Sequence, residues 1–152
     1  MKDKVIFPAF LLIILASCTH LSPPDGFAAY EYGNRFEAVS PEGMRYRVRI
    51  VANEPIQTPE FWSEALGTHL RKEGYIPLGE AVEFTAAGNK GFVHEWVLPY
   101  GHESFFYMTA VVVTDSVLAV VESAAEHTIY ERYRSALLAS IKNLDLSDVK
   151  PD

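Results

Sequence analysis

The 152-residue chain reads as an α+β fold, an antiparallel sheet of about six strands with two helices packed on it. Three observations predict this. Residues 44–52 alternate strictly: Met44, Tyr46, Val48 and Ile50 fall on one side and Arg45, Arg47 and Arg49 on the other, the period of a half-buried strand. Two other segments repeat apolar side chains at helical spacing, Trp62, Leu66 and Leu70 in one and Ile129, Tyr133, Leu137, Ile141 and Leu144 in the other. Between them lie apolar runs separated by tight turns, the pattern of an antiparallel meander.

In order, residues 27–39 read as extended chain broken near Gly33-Asn34. Ser40-Pro41-Glu42-Gly43 has Ser first, Pro second and Gly fourth, as a type I turn prefers, so the flanking strands form a hairpin. Thr58 suits an N-cap, Pro59 the first helical position and Gly74 a left-handed stop, which predicts a helix over 59–73. Strands follow at 81–85, 92–98, 104–114 and 117–122, with turns at 86–91, 99–102 and Asp115-Ser116. The run 104–114 is apolar on both faces, as a central strand is. The closing helix has two candidate starts, because Ser123 with Glu126 and Thr128 with Glu131 both match a capping box. The predicted order is β-β-α-β-β-β-β-α.

The front of the chain has a different character. Lys2, Asp3 and Lys4 precede an apolar run over 5–16, and the small residues of Leu15-Ala16-Ser17 lead directly to Cys18. A charged start, a short apolar run and small residues describe a secretory signal. The run is too short for a span of roughly 20 residues, and Pro8 interrupts it. With the cysteine placed there, the segment resembles a bacterial lipoprotein signal and its lipobox. The resemblance implies cleavage before Cys18, acylation of that residue by palmitate-type chains, and attachment to a membrane of the cell envelope. In lipoproteins of enteric-type bacteria an Asp after the cysteine retains the protein in the inner membrane. Thr19 stands there instead, so the resemblance points to the outer membrane, facing the periplasm. The expected organisation is a signal peptide at 1–17, an acylated tether at 18–26, a single domain at 27–146 and a tail at 147–152.

Charge and cysteine count exclude several classes. The chain carries 13 Lys and Arg against 20 Asp and Glu, and loss of Lys2, Lys4 and Asp3 with the leader leaves 11 against 19. Such a balance argues against nucleic acid and against broad adhesion to anionic lipid, both of which need a surplus of cations. If its one cysteine carries lipid, no thiol remains for a disulfide, a thiolate zinc site or a cysteine nucleophile. No cofactor is expected.

A hairpin, a helix bearing Trp62, Ala65 and Leu66, a glycine-rich turn at Gly88 and Gly91, a four-strand meander and a closing helix through Ser140-Ile141 together resemble the PsbP-like superfamily, which includes small lipoproteins of the DcrB type. The resemblance spans about residues 28–145 and rests on element order. It implies an accessory or binding protein and transfers no functional residue.

Candidate sites are few. Alternate strand residues lie about 6.8 Å apart, so Arg45, Arg47 and Arg49 could line roughly 14 Å of one face. They suit either an anionic or acidic partner, lipid headgroups included, or cross-strand pairing with Glu37 and other glutamates, the commoner outcome in so acidic a chain. His94, Glu95, His102 and Glu103 flank one hairpin and could meet across it as a metal or proton site, although solvated histidines are the ordinary outcome. No Gly-x-Ser-x-Gly elbow is present. Tyr100, in its turn, and one of Phe105 and Phe106 are candidates for an exposed aromatic patch. The expected function is a non-catalytic, lipid-anchored binding module for a protein or envelope component. The alternatives are an envelope enzyme using His94 or His102 and a carrier of a small apolar ligand.

Overall fold

A computed structural model describes residues 21–32 and 35–150. Within them, β1 (Ala28–Tyr32), β2 (Arg35–Val39), β3 (Arg45–Ala52), β4 (Ile76–Pro77), β5 (Val82–Ala86), β6 (Asn89–Tyr100), β7 (Glu103–Val113) and β8 (Val117–Glu126) build one antiparallel sheet. Helices α1 (Pro59–Lys72) and α2 (His127–Lys142) pack on its two faces. The strand order is β1-β2-β3-β8-β7-β6-β4, and β5 also pairs with β6.

The α+β class and both helices are as expected, but the sheet has eight strands where about six were expected. Two features account for the difference. Residues 28–39 form a hairpin of two strands, Ala28 pairing with Val39 and Tyr32 with Arg35, where the sequence suggested one interrupted strand. Strand β4 is only two residues long, too short to show any periodicity. It shares one edge of the long β6 with β5, which takes Asn89 to Val93 while β4 takes Trp96 and Val97.

Helix α1 begins as predicted. The Thr58 hydroxyl accepts from the Phe61 N–H at 3.2 Å, and Pro59 takes the first turn. Trp62 and Leu66 pack on Val111, Val113 and Leu118. Helix α2 begins differently. Strand β8 runs on to Glu126, so Ser123 is a strand residue whose hydroxyl donates to the Arg45 carbonyl at 2.7 Å, and Thr128 lies inside the first turn. Neither capping box is used. Through Glu126 the ladder to β7 supplies backbone partners that a local cap would have replaced.

The main core lies between the sheet and α2. Tyr46, Val48, Met108, Val112 and Val121 from the strands meet Tyr130, Leu137 and Ile141 from the helix, all almost fully buried. Burial pushes the Tyr46 hydroxyl up to about 12. The chain before β1 joins this layer too. Pro24 and Phe27 are buried, the Phe27 ring stands edge-on to Tyr133 at 5.1 Å, and Ser140 Oγ donates to the Ser22 carbonyl at 2.8 Å. Much of the expected tether is therefore docked on α2 from Leu21 onward. At the other end Leu144 and Leu146 are buried and Val149 packs against the same core, so the domain extends beyond residue 146. The expected signal peptide and Cys18 lie outside the described residues.

Candidate functional site: an arginine face on the sheet

Strand β3 holds Arg45, Arg47 and Arg49 on one face of the sheet, as their alternation predicts, while Tyr46, Val48 and Ile50 enter the core on the other. The arginine face is the one α1 occupies. That helix covers only the part built from β6, β7 and β8, through Phe92, Val111, Val113, Leu118 and Val120. The part built from β1, β2 and β3 is not covered by it.

Register decides what surrounds the arginines. Across β2, Arg35 stands opposite Arg49 and Glu37 opposite Arg47. Across β8, Glu122 stands opposite Arg47 and Ala124 opposite Arg45. Arg47 Nε lies 3.3 Å from Glu37 Oε1, and Arg49 lies 3.7 Å from Glu122 Oε2. Two tyrosines complete the network, Tyr30 donating to Glu37 at 2.8 Å and Tyr107 to Glu122 at 2.6 Å. The Tyr30 hydrogen bond, and behind it the Arg47 charge, hold the Glu37 carboxyl below its ordinary range. Burial, with the Glu122 carboxylate next in weight, pushes the Tyr107 hydroxyl well up. Arg45, Arg47, Tyr107 and Glu122 line a shallow depression of about 320 Å³.

The expected cross-strand pairing is thus present in part. Glu37 takes Arg47, and Glu122 takes Arg49. Arg35 and Arg45 form no ion pair among the described residues. Along β2, β3 and β8 the face carries four arginines against three glutamates, Glu37, Glu122 and Glu126, within a chain whose net charge is −7. Sequence reasoning left out Arg35, Tyr107 and Glu122. The alternation of Arg35 and Glu37, counted back through the Ser40 turn, contains the signal for Arg35. The other two reach the site through long-range pairing that no local pattern encodes.

The remaining candidates lie elsewhere. Tyr100 is 71% exposed beside the β6–β7 turn, edge-on to Phe105 at 6.4 Å. Trp96 shares Arg45's row through Tyr107 and Ala124. Tyr100 lies four residues beyond it and three strands over, on the order of 20 Å from the stripe. His94 is buried, with Nε2 2.9 Å from the Gly79 carbonyl oxygen and its ring 3.9 Å from that of Trp96. Glu95, the next residue of the strand, projects to the opposite face, where it accepts from Tyr130 at 2.6 Å and from Arg134 at 2.8 Å. His102 sits exposed in the turn. His94 pairs with Thr109 and Glu103 with Tyr100, so the four residues read as able to meet across the hairpin do not. Among the described residues no group of three or more His, Cys, Asp or Glu side chains is placed to hold a metal ion.

At the far end of the sheet, the segment after β3 and the turns β5–β6 and β7–β8 border an open cleft of about 800 Å³, with Asn53, Lys90 and Asp115 in its wall. Asn53, also absent from the sequence-based candidates, is almost fully buried and both polar atoms of its side chain are engaged. It serves the fold.

No family model matches the chain, and no curated protein matches it. Among solved structures, it is similar to a Pseudomonas aeruginosa protein of unknown function, PA94, whose description adds a regulatory label. That match has a TM-score of 0.54 at 4% identity and covers 79% of this chain and 96% of the other. At such identity the likeness concerns the fold alone.

Proposed function

We propose that this protein is a lipid-anchored, non-catalytic binding module of the bacterial cell envelope, built on a PsbP-like sandwich and anchored to the outer membrane. The observation that carries the reading is the lone cysteine placed directly after Leu15-Ala16-Ser17, behind a short apolar run with a charged start. Docking of the chain from Leu21 fits this reading. Three residues of extended chain reach only about 10 Å, so an acylated Cys18 would hold the domain close to its bilayer. A single acyl chain binds marginally, and the multiple acylation of a lipobox cysteine supplies stable attachment.

Binding is favoured over catalysis by the candidate residues themselves. His94 is engaged with a backbone carbonyl and an indole ring, and His102 stands in an open turn. The carrier alternative needs an enclosed volume of several hundred Å³. Between α1 and the sheet the gap at Leu66, Phe92 and Trp96 is about 10 Å³, and large side chains fill the α2 side. The Cys18→Ser variant tests the anchor. It should move from the membrane fraction of the native host to the soluble envelope fraction. Retention in the membrane fraction equal to that of the unaltered chain would overturn the reading.

A further inference from the structure

We propose that the arginine face receives an extended acidic segment of a partner protein, lying along β3 with carboxylates near Arg45 and Arg35. This inference rests on the reading of the chain as a binding module and names the chemistry of its partner.

Charge is the first argument. Along β2, β3 and β8 the face carries one more guanidinium than carboxylates, although the chain as a whole is acidic. Glu37 and Glu122 answer Arg47 and Arg49, which leaves Arg35 and Arg45 outside the ion pairs of the described residues. Both are exposed.

Register is the second. Arg35 lies directly across from Arg49, and like charges so placed oppose strand pairing. A carboxylate held between those guanidiniums would turn that repulsion into attraction. Arg45 lies four residues along β3 from Arg49, roughly 14 Å. A second extended chain covers the same length in four residues, so acidic side chains four apart would reach both ends of the face. Guanidinium groups take carboxylates by paired, charge-assisted hydrogen bonds.

The direction of the anchor is the third, and it separates two sources of negative charge. The chain enters the domain on the α2 side, where Ser22 meets Ser140 and Phe27 meets Tyr133. The arginine face is on the other side of the sheet. Headgroups of the anchoring bilayer therefore approach the wrong side, and a polypeptide reaching in from the envelope approaches the right one.

The test uses the full acylated chain in a non-ionic detergent and a fluorescein-labelled heptapeptide alternating Glu and Thr, read by anisotropy. The expected result is binding that weakens with salt, together with no binding of the same peptide carrying Gln for Glu. The double variant Arg35→Gln, Arg45→Gln leaves both ion pairs in place and should bind about tenfold more weakly. Its thermal melting is followed alongside to show that it folds. Equal binding of the Glu and Gln peptides by the unaltered chain would overturn the inference, and that comparison needs no variant. Undiminished binding by a folded double variant would also overturn it, as would capture of inorganic phosphate, or of phosphatidylglycerol vesicles by the unacylated Cys18→Ser chain, in place of the peptide. An acylated chain that ignores the peptide would sink the partner chemistry and leave the anchor reading standing.

Discussion

Asn53 shows how much one side chain can organise. It directly follows β3, and its Nδ2 donates to the Gln57 and Thr114 carbonyls at 3.2 and 3.0 Å. Its Oδ1 accepts from the Gln57 N–H at 3.1 Å and from Trp62 Nε1 at 2.8 Å. A single buried amide thus ties β3, the β7–β8 turn and α1 together. Replacing Asn53 by Ala should cost about 2–3 kcal/mol, because several buried partners lose their mates at once. Urea unfolding of the variant measures this, and a loss within error of zero would show that water takes the amide's place. In the sequence, Asn53 before Glu54-Pro55 looks like any turn asparagine, because its partners come from positions as distant as Thr114. The arginine alternation of β3 was legible because period two is local. The identity of the arginines' neighbours was not, since strand order and register set it.

At the scale of elements, a carboxylate clamps α2 to the sheet. Glu95 on β6 accepts from Arg134 and Tyr130, both on α2. The Arg134 hydrogen bonds hold the Glu95 carboxyl below its ordinary range. A carboxyl lowered on folding stabilises fully above its unfolded value, and that share is lost as pH falls through the folded value. The unaltered chain should therefore lose stability on acidification through and below the ordinary carboxylate range. The Glu95→Gln variant should be less stable at neutral pH, by on the order of 1 kcal/mol for a partly exposed clamp, with a flatter acid limb. Parallel acid limbs in the two proteins would contradict this role. Element types were largely legible, because both helices carry strong periodicity and α1 carries its own cap and stop. In the sequence the glycine-rich run 86–91 reads as a turn, whereas the turn closes at Ala87-Gly88 and Gly91 belongs to β6. A Cβ on Gly91 would stand 2.7 Å from the Phe84 ring and 2.6 Å from the Val111 carbonyl oxygen, so this glycine serves close packing. The start of α2 was illegible for the reverse reason, since a strand ladder overrode two good local caps.

The whole molecule is three layers, α1 on one face of the sheet and α2 on the other. Sequence periodicity says that each helix buries one side but not which face of the sheet receives it, so the asymmetry of the two faces was not legible. That asymmetry underlies the functional proposal. One face carries α2 and the entering chain over the main core, and the other leaves its arginines beside a shorter helix. The position of the entering chain places the open face on the side away from the proposed anchor.

Because that placement depends on Cys18, the most direct measurement is the intact mass of the protein purified from membranes of its native host. We expect a polypeptide beginning at Cys18, heavier than its amino-acid mass by a diacylglyceryl group and an amide-linked fatty acid. A chain beginning at Met1, or one with an unmodified Cys18 thiol, would contradict the account.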